Sequence, residues 1–310
     1  MILFFSVCKF EKALYTPLVY KSILKFYDYS SYSLIIPNDE INIFKKFISD
    51  KNVNNINLIP ESQFISFEEF QSLYEKFSSE LKIEKSKKNL GWYYQQILKL
   101  AYCIEYSKNA NIVMVDADTI FLKKVNYFAK GKSIVYSSNY ERNIFYKYLC
   151  EDIFQKKQKK WKSSTIQTFS ITDEETQYLI QNLEKYYPKD DNITFSYWLS
   201  EIFLKSVLKR FYNLYGSYIS EQDLIAASNI KNGSISKSNL MFLRSGVVGE
   251  LSSLQIKIAG KLNFSYFSYE KWIMKKKSMN FLDFLFAIII NYPLIHKFLK
   301  KIQIAFKQLN

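Results

Sequence analysis

The chain has 310 residues, of which 48% are hydrophobic and 23% are charged, and this composition is typical of globular rather than disordered proteins. Its formal net charge is +14, yet only three of its 43 basic residues are arginine, on which sequence-reading nucleic-acid binders depend, so we expect no nucleic-acid partner. One histidine and three scattered cysteines argue against a Ser-His-Asp triad, a zinc cluster or a disulfide scaffold, and favour a reducing cytoplasm.

The first half of the chain predicts strands that alternate with helices. Short apolar runs predict strands at residues 1–7, 33–36 and 56–59, and amphipathic stretches predict helices at 14–27 and 41–48. A further helix begins after Ser66, which forms a capping box with Glu69. Because such alternation is typical of βαβ units, the sequence predicts an α/β fold with a mainly parallel sheet.

An apolar strand that runs into two aspartates is the most informative feature of the sequence. Residues 111–115 (NIVMV) are followed directly by Asp116 and Asp118. On an extended chain this spacing puts both carboxylates on one side, at the end of a strand where open α/β sheets bind ligands. Carboxylates there can hold Mg²⁺ or Mn²⁺, which also bind diphosphate oxygens. The alternative is a strand end with two solvated aspartates in a turn.

A second segment lies upstream, at residues 91–100 (GWYYQQILKL). Its apolar side chains recur at helical spacing and predict a helix with one buried stripe. A neighbouring stripe of the same helix carries Trp92, Gln95, Gln96 and Lys99.

These two segments together resemble the GT-A glycosyltransferases. Residues 113–122 resemble the segment that carries their Asp-x-Asp motif, and residues 91–100 are similar to a segment shared by bacterial glycosyltransferases of capsule and lipooligosaccharide loci. The resemblance extends over about residues 1–230 and is strongest over 90–125. It implies a Rossmann-like GT-A fold, a divalent metal ion, a nucleotide-sugar donor that we expect to be UDP-linked, and transfer to a hydroxyl of a cell-surface glycan or lipid-linked saccharide.

The resemblance also implies roles for single residues. Asp116 would contact the ribose or the metal ion, and Asp118 would bind both the metal ion and the diphosphate. The helix at residues 91–100 would flank the donor pocket and contribute polar contacts from Gln95, Gln96 and Lys99. For Trp92, which this helix also carries, core packing against the sheet is the alternative to a place beside the donor.

A second acidic segment, SEQDL at residues 220–224, is similar to one that helps to bind donor and acceptor in other GT-A enzymes. An inverting enzyme needs a carboxylate to take the proton from the acceptor hydroxyl, and Asp223 is the first candidate and Glu221 the second. A retaining enzyme needs no base there, and the sequence leaves both mechanisms open. Ser220 and Asp223 also fit a capping box at a helix start, which is the structural alternative.

The last part of the chain differs from the rest. Residues 270–310 contain eight lysines and two acidic residues, and an apolar stretch at 281–295 lies between the lysines. This stretch is shorter than the ~20 residues that span a bilayer, and it fits either an interfacial helix on an anionic membrane or a helix docked on the domain. We therefore expect a catalytic domain at 1–269, a basic helical extension at 270–310, and a cytoplasmic protein at the inner face of the inner membrane.

Two other functions fit parts of the sequence. Residues 115–120 (VDADTI) match the nucleophile motif of haloacid-dehalogenase-type phosphatases, in which the first aspartate attacks phosphorus. That chemistry also needs a downstream lysine and an acidic pair after a strand, for which Lys189, Asp190 and Asp191 are the candidates. A basic nucleic-acid-binding protein is the non-catalytic alternative, which the net charge and the 18% of aromatic residues favour.

Overall fold

The structure is a computed structural model that describes most of the chain. The described residues are 1–27, 31–53, 55–83, 89–137, 143–157, 167–229, 235–238, 242–244, 252–268, 285 and 288. The predicted boundary after residue 269 and nearly all of the predicted extension at 270–310 lie outside them, so both stay predictions. Within the described residues, no helix is both long enough and apolar enough to cross a bilayer.

Helices and strands alternate along the first half of the chain, as the sequence predicts. The helices are α1 (Thr16–Phe26), α2 (Ile41–Asp50), α3 (Phe67–Glu80), α4 (Leu90–Tyr106), α5 (Ile144–Ile153), α6 (Asp173–Glu184), α7 (Phe195–Phe211), α8 (Glu221–Asn229) and α9 (Ser253–Lys261). The strands are β1 (Ile2–Val7), β2 (Ser31–Ile36), β3 (Ile56–Pro60), β4 (Asn111–Val115), β5 (Thr119–Phe121), β6 (Phe128–Ala129), β7 (Lys132–Ser137), β8 (Thr168–Ile171), β9 (Ile235–Ser238), β10 (Phe242–Arg244) and β11 (Tyr266–Ser268). Short 3-10 helices lie at Phe10–Tyr15, Asn38–Glu40 and Glu61–Gln63.

The chain divides into two compact units, each built from discontinuous segments. The first unit consists of Met1–Ala13, Tyr29–Asp116 and Asn126–Asn239. The second unit consists of Leu14–Asp28, Ala117–Val125 and Leu240–Asn310. In both units only the residues in the described ranges are meant.

The first unit is built on a five-stranded sheet with the strand order β3-β2-β1-β4-β8. Strands β1 to β4 run parallel, and β8 runs antiparallel to β4 at the edge. This confirms the predicted α/β class with a mainly parallel central sheet, and the order 3-2-1-4 is that of Rossmann-like sheets. The strand order reverses between β1 and β4, and ligands of open α/β sheets bind at the carboxyl ends of strands beside such a reversal.

Helix α4 is buried along most of its length, because it packs against β1 and β4 on one side and against α7 on another. The rings of Phe5 in β1 and Tyr102 in α4 stack with their centroids 4.0 Å apart. The hydroxyl of Tyr94 donates to the carbonyl oxygen of Ile65 at 2.7 Å. A helix held in this way is a rigid support for the polar side chains that it carries.

The predicted capping box at the start of α3 is confirmed, and α6 also begins with one. Ser66 and Glu69 form one at the start of α3, and Thr172 and Glu175 form the other at the start of α6. Each box satisfies backbone N–H groups that have no partner within the helix. Buried Glu175 also accepts a hydrogen bond of 2.7 Å from the hydroxyl of Ser133, and this bond ties α6 to β7.

The second unit contains short strands that the sequence did not predict. Strand β5 pairs antiparallel with β11, and β11 pairs parallel with β10. Helix α1 packs on β5, where the hydroxyl of Ser22 accepts a hydrogen bond of 3.0 Å from the backbone N–H of Phe121. The unit is therefore held together by strand pairing between segments that are far apart in the sequence.

Candidate active site

Lys99, Asp116 and Glu221 form a charged cluster at the carboxyl end of β4 in the first unit. The Nζ of Lys99 lies 3.0 Å from Oδ1 of Asp116 and 3.0 Å from Oε1 of Glu221. Lys99 belongs to α4, Asp116 directly follows β4, and Glu221 is the first residue of α8. The sequence singled out all three residues, but it gave no indication that they meet.

The charges of this cluster stabilise one another. Burial by itself lowers the pKa of Lys99, but Asp116 and Glu221 outweigh burial and raise that pKa above its usual range, so the ammonium group stays charged at neutral pH. One lysine faces two carboxylates, so the three groups together carry a net negative charge. Glu221 is 3% exposed, whereas the side chain of Asp116 is 36% exposed. Asp116 is therefore the member of the cluster that a ligand can reach.

The two aspartates of the Asp-x-Asp motif have different surroundings. Strand β4 ends at Val115, and residues 117–118 form a turn, so the motif does not lie on an extended strand as we expected. Asp116 belongs to the first unit, whereas Asp118 belongs to the second unit, where it is buried and accepts a hydrogen bond of 3.4 Å from Ser268. The extended chain on which the expected shared side depended is therefore absent, because the chain turns between the two residues.

The donor atoms of these aspartates suit Mg²⁺ or Mn²⁺. Magnesium is usually bound by one or two carboxylates together with substrate phosphates and water. Within the described ranges, no group of three or more His, Cys, Asp or Glu side chains is arranged to hold a metal ion. A metal ion at Asp116 and Asp118 stays a prediction.

Both predicted catalytic carboxylates are buried at the start of α8. The hydroxyl of Ser220 accepts a hydrogen bond of 3.3 Å from the backbone N–H of Asp223, which is half of the predicted capping box. Burial, and after it the charge of Asp223, raises the pKa of the Cys150 thiol. Burial and the charge of Glu221 do the same for Cys103. In this conformation neither Asp223 nor Glu221 is open to an acceptor.

A cavity of about 690 Å³ lies at the carboxyl ends of β1, β2 and β3 in the first unit. Its wall includes polar residues that follow these strands and residues from the first turns of α4, among them Cys8, Asn38, Glu61, Trp92, Tyr94 and Gln95. The volume falls within the range of ~300–1,000 Å³ that is usual for small-molecule sites. We call this space the donor cavity, after the ligand proposed for it below.

The donor cavity and the charged cluster are neighbours at the same edge of the sheet. Phe5 of β1 pairs with Met114 of β4, so Val7, which lines the cavity, is level with Asp116 two residues further along the parallel register. The hydroxyl of Ser6 donates to the carbonyl oxygen of Val115 at 2.5 Å and ties the two strand ends together.

The predicted donor contacts on α4 divide into two groups. Trp92 and Gln95 line the cavity, and the amide of Gln95 also donates to the carbonyl oxygen of Val7 at 3.4 Å. Gln96 is buried and donates to the carbonyl oxygen of Trp92 within its own helix, while Lys99 binds the two carboxylates. The structure thus brings Trp92 and Gln95 to the cavity and turns Gln96 and Lys99 into the protein.

Sequence reasoning missed Glu61, a carboxyl group in the wall of the cavity. Burial raises the pKa of Glu61 to about 7, and the charge of Lys9 and the nearby hydroxyl of Tyr94 act in the opposite direction. A signal was present, because Glu61 lies two residues after the third predicted strand (56–59) and thus at the edge where ligands bind.

Comparisons with known proteins give a family and several similar folds. A search of curated proteins found no match. Among solved structures, the galactosyltransferase LgtC in complex with donor and acceptor sugar analogs is similar with 10% identity, 93% of this chain and 95% of that chain covered, and a TM-score of 0.46. Mouse xyloside xylosyltransferase 1 is similar with 9% identity and a TM-score of 0.40, and the match covers 89% of this chain and 100% of that chain. The bifunctional glycosyltransferase WbbM is similar with 12% identity and a TM-score of 0.40, and the match covers 96% of this chain and 51% of that chain.

The sequence model of DUF6492, a protein family of unknown function, matches residues 10–246. Since this match spans well over half of the 310 residues, the chain belongs to the DUF6492 family.

Proposed function

We propose that the protein is a glycosyltransferase that moves a sugar from a nucleotide-sugar donor to a hydroxyl of a saccharide or lipid-linked acceptor. The observation that carries the proposal is the contact between Lys99 and Asp116 beside the donor cavity. These residues belong to the two segments, 91–100 and 113–122, that resemble GT-A glycosyltransferases. Two segments that resemble one enzyme class therefore meet in a charged cluster, at the edge of the sheet where such folds bind ligands.

The cavity suits the nucleoside part of such a donor. Trp92 offers an aromatic ring on which a base can stack, and Gln95 and Glu61 offer polar groups for its edges. With the nucleoside in the cavity, the diphosphate can extend along the sheet edge toward Asp116. The donor would thus lie across the carboxyl ends of β1 and β4.

Asp116 and Asp118 are the predicted ligands of Mn²⁺ or Mg²⁺, which would neutralise the charge on the departing nucleoside diphosphate. Lys99 contributes by holding the carboxylate of Asp116 at the end of the strand, because a side chain with one oxygen bound to a buried lysine cannot rotate freely. Glu221 holds Lys99 from the other side. Neither Lys99 nor Glu221 has to touch the donor for this effect.

The acceptor proton is taken by Asp223 or Glu221 if the enzyme inverts. Both carboxylates are buried in the structure, so this role requires the first turn of α8 to become accessible when the acceptor binds. Asp223 stays the first candidate and Glu221, which binds Lys99, the second.

A thermal-shift screen of nucleotide sugars with Mn²⁺ tests the proposal. A ligand that binds only the native state at 100 times its dissociation constant adds about 2.7 kcal/mol of stability. We expect one nucleotide class, UDP-linked sugars first, to raise the melting temperature, and a chelator to remove the effect. A screen in which no nucleotide sugar shifts the melting temperature would contradict the proposal.

Replacing Trp92 with alanine should weaken binding of the nucleoside diphosphate about 10-fold. Stacking of a base on an aromatic side chain contributes about 1–3 kcal/mol, and this substitution removes the ring from the cavity wall. Calorimetric titration with the nucleotide measures the change. Trp198, which is buried in α7 and lies outside the cavity wall, is the matched control: Trp198→Phe should leave the affinity unchanged.

The phosphatase alternative has less support. Its candidate downstream residues, Lys189, Asp190 and Asp191, lie between α6 and α7 rather than after a strand. The lysine that contacts Asp116 is Lys99, which precedes the motif in the chain. A phosphatase would release phosphate without any sugar acceptor, and this outcome distinguishes the two functions.

We also propose that residues 270–310 attach the enzyme to the cytoplasmic face of the inner membrane, where a lipid-linked acceptor would be present. Eight lysines around an apolar stretch support this proposal. Deleting residues 271–310 should move the protein from the membrane fraction to the soluble fraction after cell lysis. Equal partitioning of the full-length and shortened proteins would show that the segment does not anchor the enzyme.

A further inference from the structure

We infer that Glu61 is a specificity-determining residue of the donor cavity, which accepts a hydrogen bond from an N–H group on the base of the donor. Binding of the base is thereby coupled to the ionisation of one carboxyl group. The inference rests on the proposed function, because it requires the nucleoside part of the donor to occupy this cavity.

The position of Glu61 suits this role. It is the first residue after β3, it is partly buried, and it lines the cavity with Trp92 and Tyr94 of α4. The hydroxyl of Tyr94, which donates to the carbonyl oxygen of Ile65 at 2.7 Å, is close enough to Glu61 to lower the pKa of its carboxyl group. A ring stacked on Trp92 would therefore have a carboxyl group within the same wall, available to the edge of the ring.

The titratable groups around Glu61 come from the residues that follow β1 and β2 and from α4. Lys9 follows β1, Asp39 and Glu40 follow β2, and the titratable hydroxyl of Tyr94 comes from α4. Glu40 accepts a hydrogen bond of 2.7 Å from the backbone N–H of Phe10, which keeps it on the β2 side. Carboxyl groups also outnumber lysines in the cavity wall as a whole, by four (Glu11, Asp39, Glu61 and Glu68) to two (Lys9 and Lys12). This environment suits neutral N–H donors better than phosphate, so the base rather than the diphosphate belongs here.

The ionisation of Glu61 predicts that the affinity for the nucleotide rises with pH. Burial raises its pKa to about 7, with Lys9 and Tyr94 opposing and Glu40 and Asp39 adding to the rise. A hydrogen bond from an N–H group favours the ionised carboxylate and lowers that pKa in the complex. In the protein without nucleotide, the ionised fraction of Glu61 grows from about one tenth at pH 6 to about nine tenths at pH 8. The affinity for the nucleotide should therefore rise about tenfold over this range.

The test is calorimetric titration of the full-length protein with UDP, CDP, GDP and ADP in the presence of Mn²⁺. It is run at pH 6, 7 and 8, in two buffers of different ionisation enthalpy, so that proton release is measured directly. The wild type should gain about tenfold in affinity between pH 6 and pH 8 and release about half a proton at pH 7. Glu61→Gln keeps the size of the side chain but cannot ionise, so both effects should disappear.

Two variants serve as controls. Glu68→Gln removes an exposed carboxylate of the same cavity wall and should keep the tenfold rise with pH, whatever its effect on affinity. Glu61→Asp keeps an ionisable group and should keep the proton release. Because the terminal phosphate of the nucleotide also titrates near pH 6, the quantity to read is the difference between the wild type and Glu61→Gln.

The outcomes separate the two proposals. Equal pH dependence and equal proton release in the wild type and Glu61→Gln would overturn the role of Glu61 and leave the proposed function standing. Failure of all four nucleotides to bind the wild type at every pH would overturn both proposals.

Discussion

Replacing Lys99 with methionine should cost the protein about 3–5 kcal/mol of unfolding free energy, which is the usual effect of breaking a buried ion pair from one side. The substitution keeps most of the volume of the side chain but leaves Glu221, which is 3% exposed, without the ammonium group that now binds it. Asp116 loses the same partner, but its exposed side chain is solvated and adds less to the cost. Urea denaturation at neutral pH measures the change.

The ion pair between Lys205 and Glu201 is the matched control for this prediction. It also joins a lysine to a glutamate, but it lies on the exposed face of α7 at 3.5 Å. Lys205→Met should cost at most about 0.5 kcal/mol. Restoring most of the lost stability by adding Glu221→Gln to Lys99→Met would establish that the unpaired carboxylate causes the loss, whereas equal effects of Lys99→Met and Lys205→Met would contradict the buried cluster.

Replacing Asp116 with asparagine should lower the rate of sugar transfer at least 10²-fold while leaving the fold intact. The substitution removes the negative charge that we place against the metal ion and diphosphate, and the loss of one electrostatic contact to the reacting group has an effect of about this size. The side chain is 36% exposed, so the protein can accommodate the amide. The rate of nucleoside diphosphate release at saturating donor and Mn²⁺ measures the effect.

Two further aspartate variants separate the proposed function from the phosphatase alternative. Asp118→Ala should abolish metal-dependent turnover if Asp118 is the second ligand, and unchanged turnover would remove it from the metal site. Asp190→Asn should leave turnover unchanged, because Asp190 lies in the exposed loop before α7. A large loss of activity in Asp190→Asn would instead favour the phosphatase, in which that acidic pair takes part.

The parts of the fold that follow from local pattern could be predicted from the sequence. Strands β1 to β4 are short apolar runs, and α3 and α6 begin with capping boxes whose residues are three apart, so a window of a few residues contains the signal. Strand β8 could not be found in this way because its sequence, TFSI, alternates polar and apolar residues over only four positions and contains no apolar run. Strand β5 has only three residues, and its partner β11 lies far along the chain.

The candidate site was predictable as residue types but not as an arrangement. Asp116 and Lys99 were recognised because each belongs to a short segment with its own signal. Their contact with Glu221 joins residues 122 positions apart, and no local pattern encodes such a contact. The turn at residues 117–118 could not be predicted from the two-residue spacing of the aspartates, which we had placed on an extended strand. Glu61 belongs to no motif of its own, and only the meeting of several strand ends at one edge brings it into the cavity wall.

The most direct test of the proposed function is the release of nucleoside diphosphate from a panel of nucleotide sugars, with water or a saccharide as the acceptor and with Mn²⁺ present. We expect the wild type to release the diphosphate from one class of donor, a chelator to stop the release, and Asp116→Asn to slow it at least 10²-fold. Consumption of no nucleotide sugar by a folded wild-type protein, or equal release by the wild type and Asp116→Asn, would contradict a glycosyltransferase site at the end of β4.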